Sequence, residues 1–376
     1  MNSLSKNIHS ICIIRLSSIG DVTHVIPVIL SAQEQLPGVK ITWIIGKIEA
    51  RLIGDLPGVE FIIFDKNSPI KSYWALKHHL NKRRFDVLMH MQVSFRANFC
   101  SALVSAKRRI GYDKTRSSQL HRLFISQRIA PAAREHVRDC LASFLQQLGL
   151  SIAKPSWIIP LAEEDKAFAG QFLDSTRLKI IFSPCSSHKR RNWLPERYAE
   201  LADYAVTQYD AQIVFVGSAR SFEKNFVAQI QSHMKQAALN LVGKDTLKQL
   251  AALLAKADLL VAPDTGPTHI ASAMGTDVLG LYAASNPYRS GPYNSIQWCI
   301  DRYPEALMKH LGKTTDNCQW GTKAEFAGVM ALITTDDAKK MLDCWVTARP
   351  LSTSRGLSAS SSDVSKSLEQ PTSRRT

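Results

Sequence analysis

Three short loops of this sequence combine hydroxyl, acidic and basic side chains with glycine, a combination suited to binding a phosphorylated substrate. The first loop, RLSSIGD, follows an apolar run and precedes a helical stretch. Ser17, Ser18 and the free N–H groups beside Gly20 can face an anion at the start of that helix. Asp21 stands where the helix dipole favours a negative charge, although by position alone it could also be no more than a helix cap. The spacing is neither GxGxxG nor a Walker A loop, so a dinucleotide site or a P-loop is not predicted.

The second loop, SPCSSHKRRNWLP, follows a strand-like run and ends at the proline that opens a helix. Ser186 and Ser187 can donate hydrogen bonds to phosphate oxygens, and three cations follow them, namely Lys189, Arg190 and Arg191. A nucleoside diphosphate that leaves with two or three negative charges needs such neutralisation. The alternative is a basic loop that is merely solvated.

The third loop, APDTGPTH, ends a buried run and begins a helix. Thr265 and Gly266 would present backbone N–H groups toward a pyrophosphate. Asp264 could accept hydrogen bonds from sugar hydroxyls, and His269 lies close enough to the helix start to face the same crevice. A lone aspartate here is usually a cap, but three such loops together favour one shared site.

The elements that must position these loops alternate along most of the chain. Short runs rich in Ile, Val and Phe are separated by helical segments, which indicates an α/β fold with mostly parallel, doubly wound sheets. Strands are expected at residues 10–16, 40–45, 61–64, 85–91, 179–183, 213–217, 259–262 and 278–282. Ligands of such sheets bind at the carboxyl ends of the strands, where all three loops fall.

The proline-containing segment 151–165 interrupts the alternation and is predicted to link two domains. We therefore expect an N-terminal Rossmann-like domain over residues 1–155 and a second one over residues 156–349. Residues 350–376 are rich in Ser, Thr and Arg and poor in apolar residues, and are predicted to be a disordered tail.

Charge indicates an anionic partner. The 376 residues carry a formal net charge of +15, and residues 1–165 hold 22 Lys or Arg against 13 Asp or Glu. Nucleic acid, acidic lipid and a phosphorylated substrate all fit such an excess. No basic patch interleaved with aromatic residues and no recognised nucleic-acid motif occurs, which argues against nucleic acid.

Other patterns exclude further classes. No apolar run reaches the length of about 18 residues that a membrane-spanning helix needs, and the N-terminus does not read as a signal peptide, so a cytoplasmic protein is expected. The seven cysteines form no CxxC pair, which argues against a disulfide framework or a zinc site. Neither a DxD pair nor an HExxH motif is present, so no metal site is predicted.

The sequence resembles the lipopolysaccharide heptosyltransferases of glycosyltransferase family 9 over about residues 10–345. The resemblance rests on IIRLSSIGDVTHVIP, SSHKRRNWLPERYAEL and APDTGPTHIASAMGT, with GKDTLKQLAALLAKADLLVAPDTG in support. A looser likeness extends to FDVLMHMQVSFRANF, RRIGYDKTRS and REHVRDCLASFLQQLG. The WGT stretch at residues 320–322 resembles the heptosyltransferase I branch of OpsX-type enzymes. The resemblance implies the GT-B fold, in which two Rossmann-like domains face a central cleft.

The same resemblance implies an inverting transfer of L-glycero-D-manno-heptose from ADP-heptose, without a metal or other cofactor. It makes Asp21 the general base that takes a proton from the acceptor hydroxyl. The donor-binding residues that it implies are Ser186, Ser187, Lys189, Arg191, Glu223, Lys244, Asp245, Asp264, Thr265, Gly266 and His269. Two positions depart from the family, which usually has lysine in place of Arg191 and a larger apolar residue in place of Pro267.

The implied acceptor is Kdo attached to lipid A, a strongly anionic molecule that would explain the basic N-terminal half. The candidate acceptor-binding residues are Ser17, Ser18, Gly20, Arg83, Arg84, Arg108, Arg109, Arg116 and Arg122. Peripheral contact with the cytoplasmic face of the inner membrane is expected. Two other interpretations stay open: a family 9 transferase acting on a later core heptose or another surface polysaccharide, and a non-enzymatic binder of nucleotides or nucleic acid.

Overall fold

The computed structural model describes residues 7–118, 120–152 and 155–349. Within these residues the chain forms two six-stranded sheets whose strand pairs are all parallel. The alternation of apolar runs predicted this architecture. The predicted tail, residues 350–376, lies outside the described residues. None of the helices in the described ranges is long and apolar enough to span a bilayer.

The first sheet has the strand order β3-β2-β1-β4-β5-β6. Its strands are β1 (Ser10–Ile14), β2 (Lys40–Gly46), β3 (Val59–Phe64), β4 (Phe85–His90), β5 (Ala106–Gly111) and β6 (Gln127–Arg128). Ile11 and Ile13 of β1 pack into one core cluster, while Cys12 and Ile14 pack into another on the opposite face. Burial on both faces explains why the central strands are continuous apolar runs.

The helices that accompany this sheet are α1 (Ile19–Thr23), α2 (Ile26–Gln35), α3 (Lys47–Ile53), α4 (Pro69–His79), α5 (Phe95–Ala102) and α6 (Val137–Gln146), with a short 3-10 helix at His121–Phe124. The helical stretch that the sequence predicts after RLSSIGD forms two helices rather than one, since α1 ends at Thr23 and α2 begins at Ile26. Pro27 lacks the N–H that would bond to the carbonyl of Thr23, so the helix cannot run through.

The second sheet has the order β12-β11-β10-β7-β8-β9. Its strands are β7 (Lys179–Phe182), β8 (Gln212–Phe215), β9 (Leu239–Asn240), β10 (Leu259–Pro263), β11 (Asp277–Tyr282) and β12 (Cys299–Asp301). The helices are α7 (Glu163–Phe172), α8 (Pro195–Tyr209), α9 (Ser221–His233), α10 (Leu247–Lys256), α11 (Gly266–Met274), α12 (Pro287–Ser290), α13 (Tyr303–Leu311) and α14 (Thr335–Ala348). Three further 3-10 helices lie at Lys189–Arg191, Ile296–Trp298 and Val329–Leu332.

The strand order reverses once in each sheet, between β1 and β4 in the first and between β7 and β10 in the second. Connections on the two sides of such a point leave the sheet in opposite directions and open a crevice at the carboxyl ends of the strands. The loop after β1 carries Asp21, and the loops after β7 and β10 carry Ser186 and Asp264. The topology therefore places the three predicted loops at the two crevices.

The two sheets are joined by packing and by polar contacts. One core cluster contains side chains of both, for example Ile13 of β1 and Leu260 of β10. The indole N–H of Trp157 donates to the carbonyl of Thr23 over 3.1 Å, and Lys248 pairs with Asp55 at 2.7 Å. These contacts hold the carboxyl edges of the two sheets toward each other. The predicted domain boundary near residue 155 falls in the stretch between β6 and β7.

Candidate active site

The loops after β1 and β10 meet across the cleft. A Cβ atom built on Gly20 would lie 2.3 Å from Cδ2 of His269, and one built on Gly266 would lie 3.7 Å from Ile19. The start of α1 therefore touches the start of α11, and only a residue without a side chain fits at Gly20. The first and third predicted loops form two sides of one site.

Asp21 is held as an ionised carboxylate. Its Oδ2 accepts hydrogen bonds from the backbone N–H of Ser18 at 3.1 Å and from the Ser18 hydroxyl at 2.9 Å. The same oxygen pairs with the Arg15 guanidinium at 2.6 Å, and the Asp21 side chain is 32% exposed. Burial opposes ionisation, but Arg15 and the two Ser18 bonds outweigh it and hold the pKa of Asp21 well below its usual range. Asp21 is therefore deprotonated at any physiological pH.

Arg15 is in turn fixed by the end of the neighbouring strand. Its Nη1 donates to the carbonyl of Met91 at 2.6 Å and approaches the Tyr112 hydroxyl at 3.4 Å. Gln92 secures the adjacent backbone, because its Oε1 accepts from the N–H groups of Leu16 at 2.6 Å and Ser17 at 3.2 Å. The residues after β4 thus set the position of the loop that carries Asp21.

Asp264, on the facing loop, carries two cations. Its Oδ2 lies 3.3 Å from Nη1 of Arg191 and 3.2 Å from Nζ of Lys323. Burial opposes ionisation here too, but Lys323 and then Arg191 hold the pKa of Asp264 below its usual value. Burial also lowers the pKa of Lys323. Two cations therefore share the Asp264 carboxylate.

Arg191 departs from the lysine usual in the family, and its geometry uses the fork of the guanidinium. Nη1 faces Asp264, while Nε and Nη2 bind Oε1 of Glu325 at 2.7 and 2.6 Å. A lysine ammonium could not bridge both acids in the same plane. Glu325 is therefore part of the device that orients the cation.

The second and third loops are tied together directly. The hydroxyl of Ser186 donates to the carbonyl of Asp264 at 3.0 Å, and that of Thr265 donates to the carbonyl of Cys185 at 3.2 Å. Ser186 is buried, whereas Ser187 is exposed. Ser186 thus connects two loops, and Ser187 is the hydroxyl that faces solvent.

A second cluster of predicted donor residues lies at the carboxyl ends of β8 and β9. Oε2 of Glu223 accepts from the backbone N–H of Ser218 at 2.7 Å, and its Oε1 accepts from the Ser218 hydroxyl. Burial, with a contribution from Glu223, raises the pKa of Asp245 to about 6. The ammonium of Lys189 lies 4.6 Å from the ring centre of Phe222. Lys244 is exposed, and its Nζ donates to the carbonyl of Asn240 at 2.8 Å.

Three imidazoles line the floor between the two loops. The ring of His24 lies 4.9 Å from that of His269 and 5.4 Å from that of His136. Burial lowers the pKa of all three, so they are neutral at physiological pH. His269 interacts electrostatically with both Asp264 and Asp21. It therefore lies between the two carboxylates, as its place in the third loop predicts.

Two of the predicted acceptor arginines, Arg83 and Arg84, lie away from the carboxyl edge that carries Asp21. Arg83 pairs with Glu60 at 2.6 Å at the amino ends of β2 and β3. At about 3.3 Å per strand residue, this is roughly 10–15 Å from the carboxyl edge. Arg84 follows it at the same edge. These arginines were candidates because of the positive charge of this half of the chain, and charge alone does not show at which edge of the sheet a cation lies.

Arg108, Arg109 and Arg116 are also occupied. The Arg109 guanidinium donates to the carbonyls of Phe124, Val104 and Ser101 at 2.9, 2.6 and 2.6 Å. Arg108 donates to the carbonyl of Gln147 at 2.7 Å. Arg116 pairs with both Asp113 and Glu135. These three cations stabilise loops, and Arg122 remains exposed on the 3-10 helix His121–Phe124.

Sequence reasoning missed several residues that shape the site, namely Arg15, His24, Gln92, Lys323 and Glu325. Arg15 and Gln92 had a usable signal, since each comes directly after a central strand. Lys323 and Glu325 had none, because they lie in an irregular segment far along the chain. Lys47 and Lys66 also follow strand ends, and they pair with Asp65 at 2.9 Å and Glu49 at 2.8 Å.

Metal and cysteine chemistry find little support in the described residues. No group of three or more His, Cys, Asp or Glu side chains that could hold a metal ion occurs there. The seven cysteines, all within the described ranges, are free thiols.

This arrangement defines a class. Two Rossmann-like domains face one cleft, with an ionised carboxylate on one side and a cation-lined helix start on the other, which is the organisation of a GT-B glycosyltransferase. The chain belongs to glycosyltransferase family 9 (heptosyltransferase), whose family model matches residues 73–320.

Comparison with known proteins supports this assignment. The chain is 38% identical over 324 residues to the lipopolysaccharide core heptosyltransferase OpsX of Haemophilus influenzae, covering 86% of this chain and 93% of the relative. A family 9 glycosyl transferase from Veillonella parvula superimposes with a TM-score of 0.76 at 23% identity, covering 92% and 100% of the two chains. The Escherichia coli heptosyltransferase WaaC, solved with ADP, gives a TM-score of 0.68 at 19% identity, covering 89% and 99%. The last two likenesses show the fold.

Proposed function

We propose that this protein transfers L-glycero-D-manno-heptose from ADP-heptose to Kdo of the lipopolysaccharide inner core, with inversion at the anomeric carbon. The observation that carries the proposal is the contact between Gly20 and His269, which sets the Asp21 carboxylate opposite the Asp264 loop. The names of the relatives support the substrates, since one acts on the lipopolysaccharide core and a structural neighbour was solved with an ADP-heptose analogue.

Asp21 acts as the general base. The acceptor hydroxyl attacks the anomeric carbon from the face opposite the diphosphate, the bond from that carbon to the phosphate oxygen breaks, and Asp21 takes the hydroxyl proton. One exposed oxygen of a carboxylate suffices for this, and the Asp21 side chain is 32% exposed although Oδ2 is paired. The Ser18 bonds fix its direction.

The leaving diphosphate is bound by the second domain. Arg191 and Lys323 supply positive charge beside Asp264, and α11 directs the N–H groups of its first turn into the cleft. Pro267 removes one of these donors but is accepted in the first turn of a helix. Ser187 and Lys189 extend the same positive surface toward the nucleoside.

Glu223 and Asp245 are proposed to recognise the nucleoside. Carboxylates at strand ends accept hydrogen bonds from ribose hydroxyls, and the raised pKa of Asp245, about 6, marks a buried acid without a cation to neutralise it. Lys244 stands beside them on the exposed side of the loop.

The acceptor is proposed to approach from the N-terminal domain at the cytoplasmic face of the inner membrane. Ser17, Ser18 and Gly20 line its hydroxyl, and Lys47 and Lys66 at the carboxyl edge are better placed than Arg83 or Arg84 to meet its carboxylate. Their present partners are Asp65 and Glu49, which an anionic sugar would have to displace.

A donor screen tests the proposal. Purified protein is given ADP-heptose, a UDP-sugar or a GDP-sugar with Kdo–lipid A, and release of the nucleoside diphosphate is measured with and without a chelator. We expect ADP release from ADP-heptose alone, at a rate that the chelator leaves unchanged, and a product of inverted anomeric configuration by NMR. Turnover of a UDP- or GDP-sugar but not of ADP-heptose would overturn the donor assignment. Turnover only with an acceptor that already carries core heptose would move the enzyme to a later step.

A further inference from the structure

The N-terminal domain carries an exposed apolar surface that the reaction does not explain. Its members lie on α4, on α5 and in the segment around the 3-10 helix, and they are Ile70, Trp74, Phe95, Phe99, Leu120 and Leu123. We call these six residues the apolar face. Trp74 is 68% exposed, Phe99 59% and Leu123 66%. Scattered single exposures need no explanation, but a group on adjacent elements indicates an interaction site.

The apolar face is continuous. Ile70 and Trp74 are four residues apart on α4, as are Phe95 and Phe99 on α5, so each pair shares one side of its helix. The two helices are neighbours, because the Tyr73 ring lies 6.2 Å from that of Phe99 and its hydroxyl donates to the carbonyl of Arg96 at 3.3 Å. The Ser101 hydroxyl reaches the carbonyl of Phe124 at 3.4 Å and joins the 3-10 helix to α5.

The segment that carries this face is strongly basic. Residues 66–134 contain fifteen lysines and arginines and only two acidic residues, Asp86 and Asp113. Both acids are neutralised within the domain, by Lys107 at 2.7 Å and by Arg116. Lys71, Lys77 and Arg96 therefore place exposed positive charge directly beside the apolar face.

The apolar face borders the catalytic loop. Helix α5 begins at Phe95, directly after the segment in which Gln92 binds the backbone of Ser17 and approaches the hydroxyl of Ser94 at 3.3 Å. A partner bound to the apolar face would therefore lie beside the loop that carries Asp21, on the side from which we propose that the acceptor enters. This placement joins the surface to the site.

We propose that the apolar face binds an anionic lipid bilayer and holds the enzyme where its acceptor is embedded. Tryptophan and phenylalanine insert at the boundary between headgroups and acyl chains, while lysine and arginine around them meet anionic headgroups. Lys77 lies 5.6 Å from the ring centre of Trp74, so a cation and an aromatic ring are neighbours on this surface. The proposal deepens the proposed function and rests on it for the identity of the acceptor.

Vesicle sedimentation tests the surface with the full-length protein. The probes are phosphatidylcholine vesicles with and without phosphatidylglycerol. The apolar variant Trp74→Ser/Phe99→Ser is matched by Met308→Ser/Leu311→Ser, two exposed residues of α13 in the other domain. The charge variant Lys71→Glu/Lys77→Glu is matched by Lys309→Glu/Lys313→Glu.

We expect the wild-type protein to bind the anionic vesicles, with weaker binding at high salt. Each face variant should bind at least about tenfold more weakly, the equivalent of one lost anchor of about 1.4 kcal/mol, and each matched control should stay within about twofold. Equal vesicle binding by wild type and both face variants would overturn the proposal. Preferential binding of the wild-type protein to duplex nucleic acid would also overturn it. The proposal would fail as well if the wild-type protein self-associated instead of binding vesicles and the face variants did not self-associate.

A rate measurement separates this proposal from the proposed function. With an acceptor fragment that lacks acyl chains, Trp74→Ser/Phe99→Ser should release ADP at the wild-type rate. With the acylated acceptor in anionic vesicles, the same variant should be slower by about the factor lost in binding. Equal slowing on both acceptors would contradict a docking role. If wild type releases no ADP from either acceptor, the proposed function fails, and the sedimentation result alone judges the surface.

Discussion

The contact between Gly20 and His269 gives the sharpest prediction, because adding one carbon at Gly20 should disable the proposed site. The Cβ of alanine would lie 2.3 Å from Cδ2 of His269, whereas a carbon–carbon contact needs roughly 3.5 Å. The α1 loop or the imidazole must therefore move by about 1.2 Å. A displacement of about 1 Å at a reacting group can cost about 100-fold in rate, and we expect a fall in kcat of that order for Gly20→Ala.

Alanine at position 20 would also have a small stabilising effect through its higher helix propensity. Gly20 has ordinary helical backbone geometry and lies in α1, so alanine should stabilise the helix by up to about 1 kcal/mol if space allowed. A variant that is both more stable and fully active would therefore refute the predicted clash. Gly170→Ala is the matched control, since that helical glycine meets only the flexible end of Lys256 at 3.1 Å.

A double-mutant cycle assigns the loss to the contact. ADP release is measured for wild type, Gly20→Ala, His269→Ala and the double variant, with circular dichroism to confirm folding. If the steric contact causes the loss, Gly20→Ala should cost less than about threefold once the imidazole is absent, although His269→Ala lowers the rate by itself. Purely additive effects on the activation free energy would show that Gly20 and His269 act independently.

Three further predictions concern the charges of the site. Asp21→Asn should lower kcat by about 10²–10⁴-fold, measured by ADP release. It should also lower the free energy of unfolding in urea by about 1–2 kcal/mol, since Arg15 loses a counter-charge that is 32% exposed. A near-normal rate would show that Asp21 is not the base. Burial raises the pKa of Asp245 to about 6, so its ionisation destabilises the fold increasingly as pH rises from about 4 to 6. In a thermal melt without nucleotide, Asp245→Asn should therefore raise Tm at pH 7.5 but not at pH 4. Equal shifts of Tm at both pH values would contradict this. Arg191→Lys replaces a guanidinium that binds two acids by a single ammonium. The KM for the donor should therefore rise about tenfold, with a smaller change in kcat. An effect confined to kcat would argue against a role in donor binding.

Much of the fold was predictable because its signals are local. Helix α10, at Leu247–Lys256, is an example. Thr246 and Gln249 form its capping box, and a buried leucine stripe fixes its face. The strand β10 is similarly unmistakable, since all five of its residues are buried.

The strand β5 was missed because its sequence, AKRRIG, contradicts the apolar pattern on which strand prediction rests. The structure supplies the reason, since Arg109 donates to the carbonyls of three residues, Ser101, Val104 and Phe124. A guanidinium can take the place of an apolar residue only when other segments satisfy it. Those partners come from tertiary contacts, and no local reading of the strand could have found them.

The candidate site also contains residues that the sequence could indicate and residues that it could not. Asp21 and Asp264 were predictable because each stands at the end of a central strand, where loop chemistry is visible in the sequence. The acceptor arginines were chosen by charge alone, and Arg83 is paired at the amino edge of the sheet instead. Lys323 reaches Asp264 from 59 residues away. Long-range partners of this kind depend on how the segment after β12 folds back.

The ion pair at Asp21 places a limit on how this carboxylate can work. Because Arg15 and Ser18 hold the pKa of Asp21 far down, the carboxylate that we propose as the base is ionised but only weakly basic. A weak base contributes most when proton transfer comes late, after the acceptor oxygen has begun to bond to the anomeric carbon and its proton has become acidic. In this proposed order the bond to the diphosphate is largely broken when the proton moves, so stabilisation of the leaving group contributes to the rate. Arg191 and Lys323 are grouped around Asp264 at the start of α11, where we propose that this charge develops, whereas Arg83 of the other domain is paired at the far edge of its sheet.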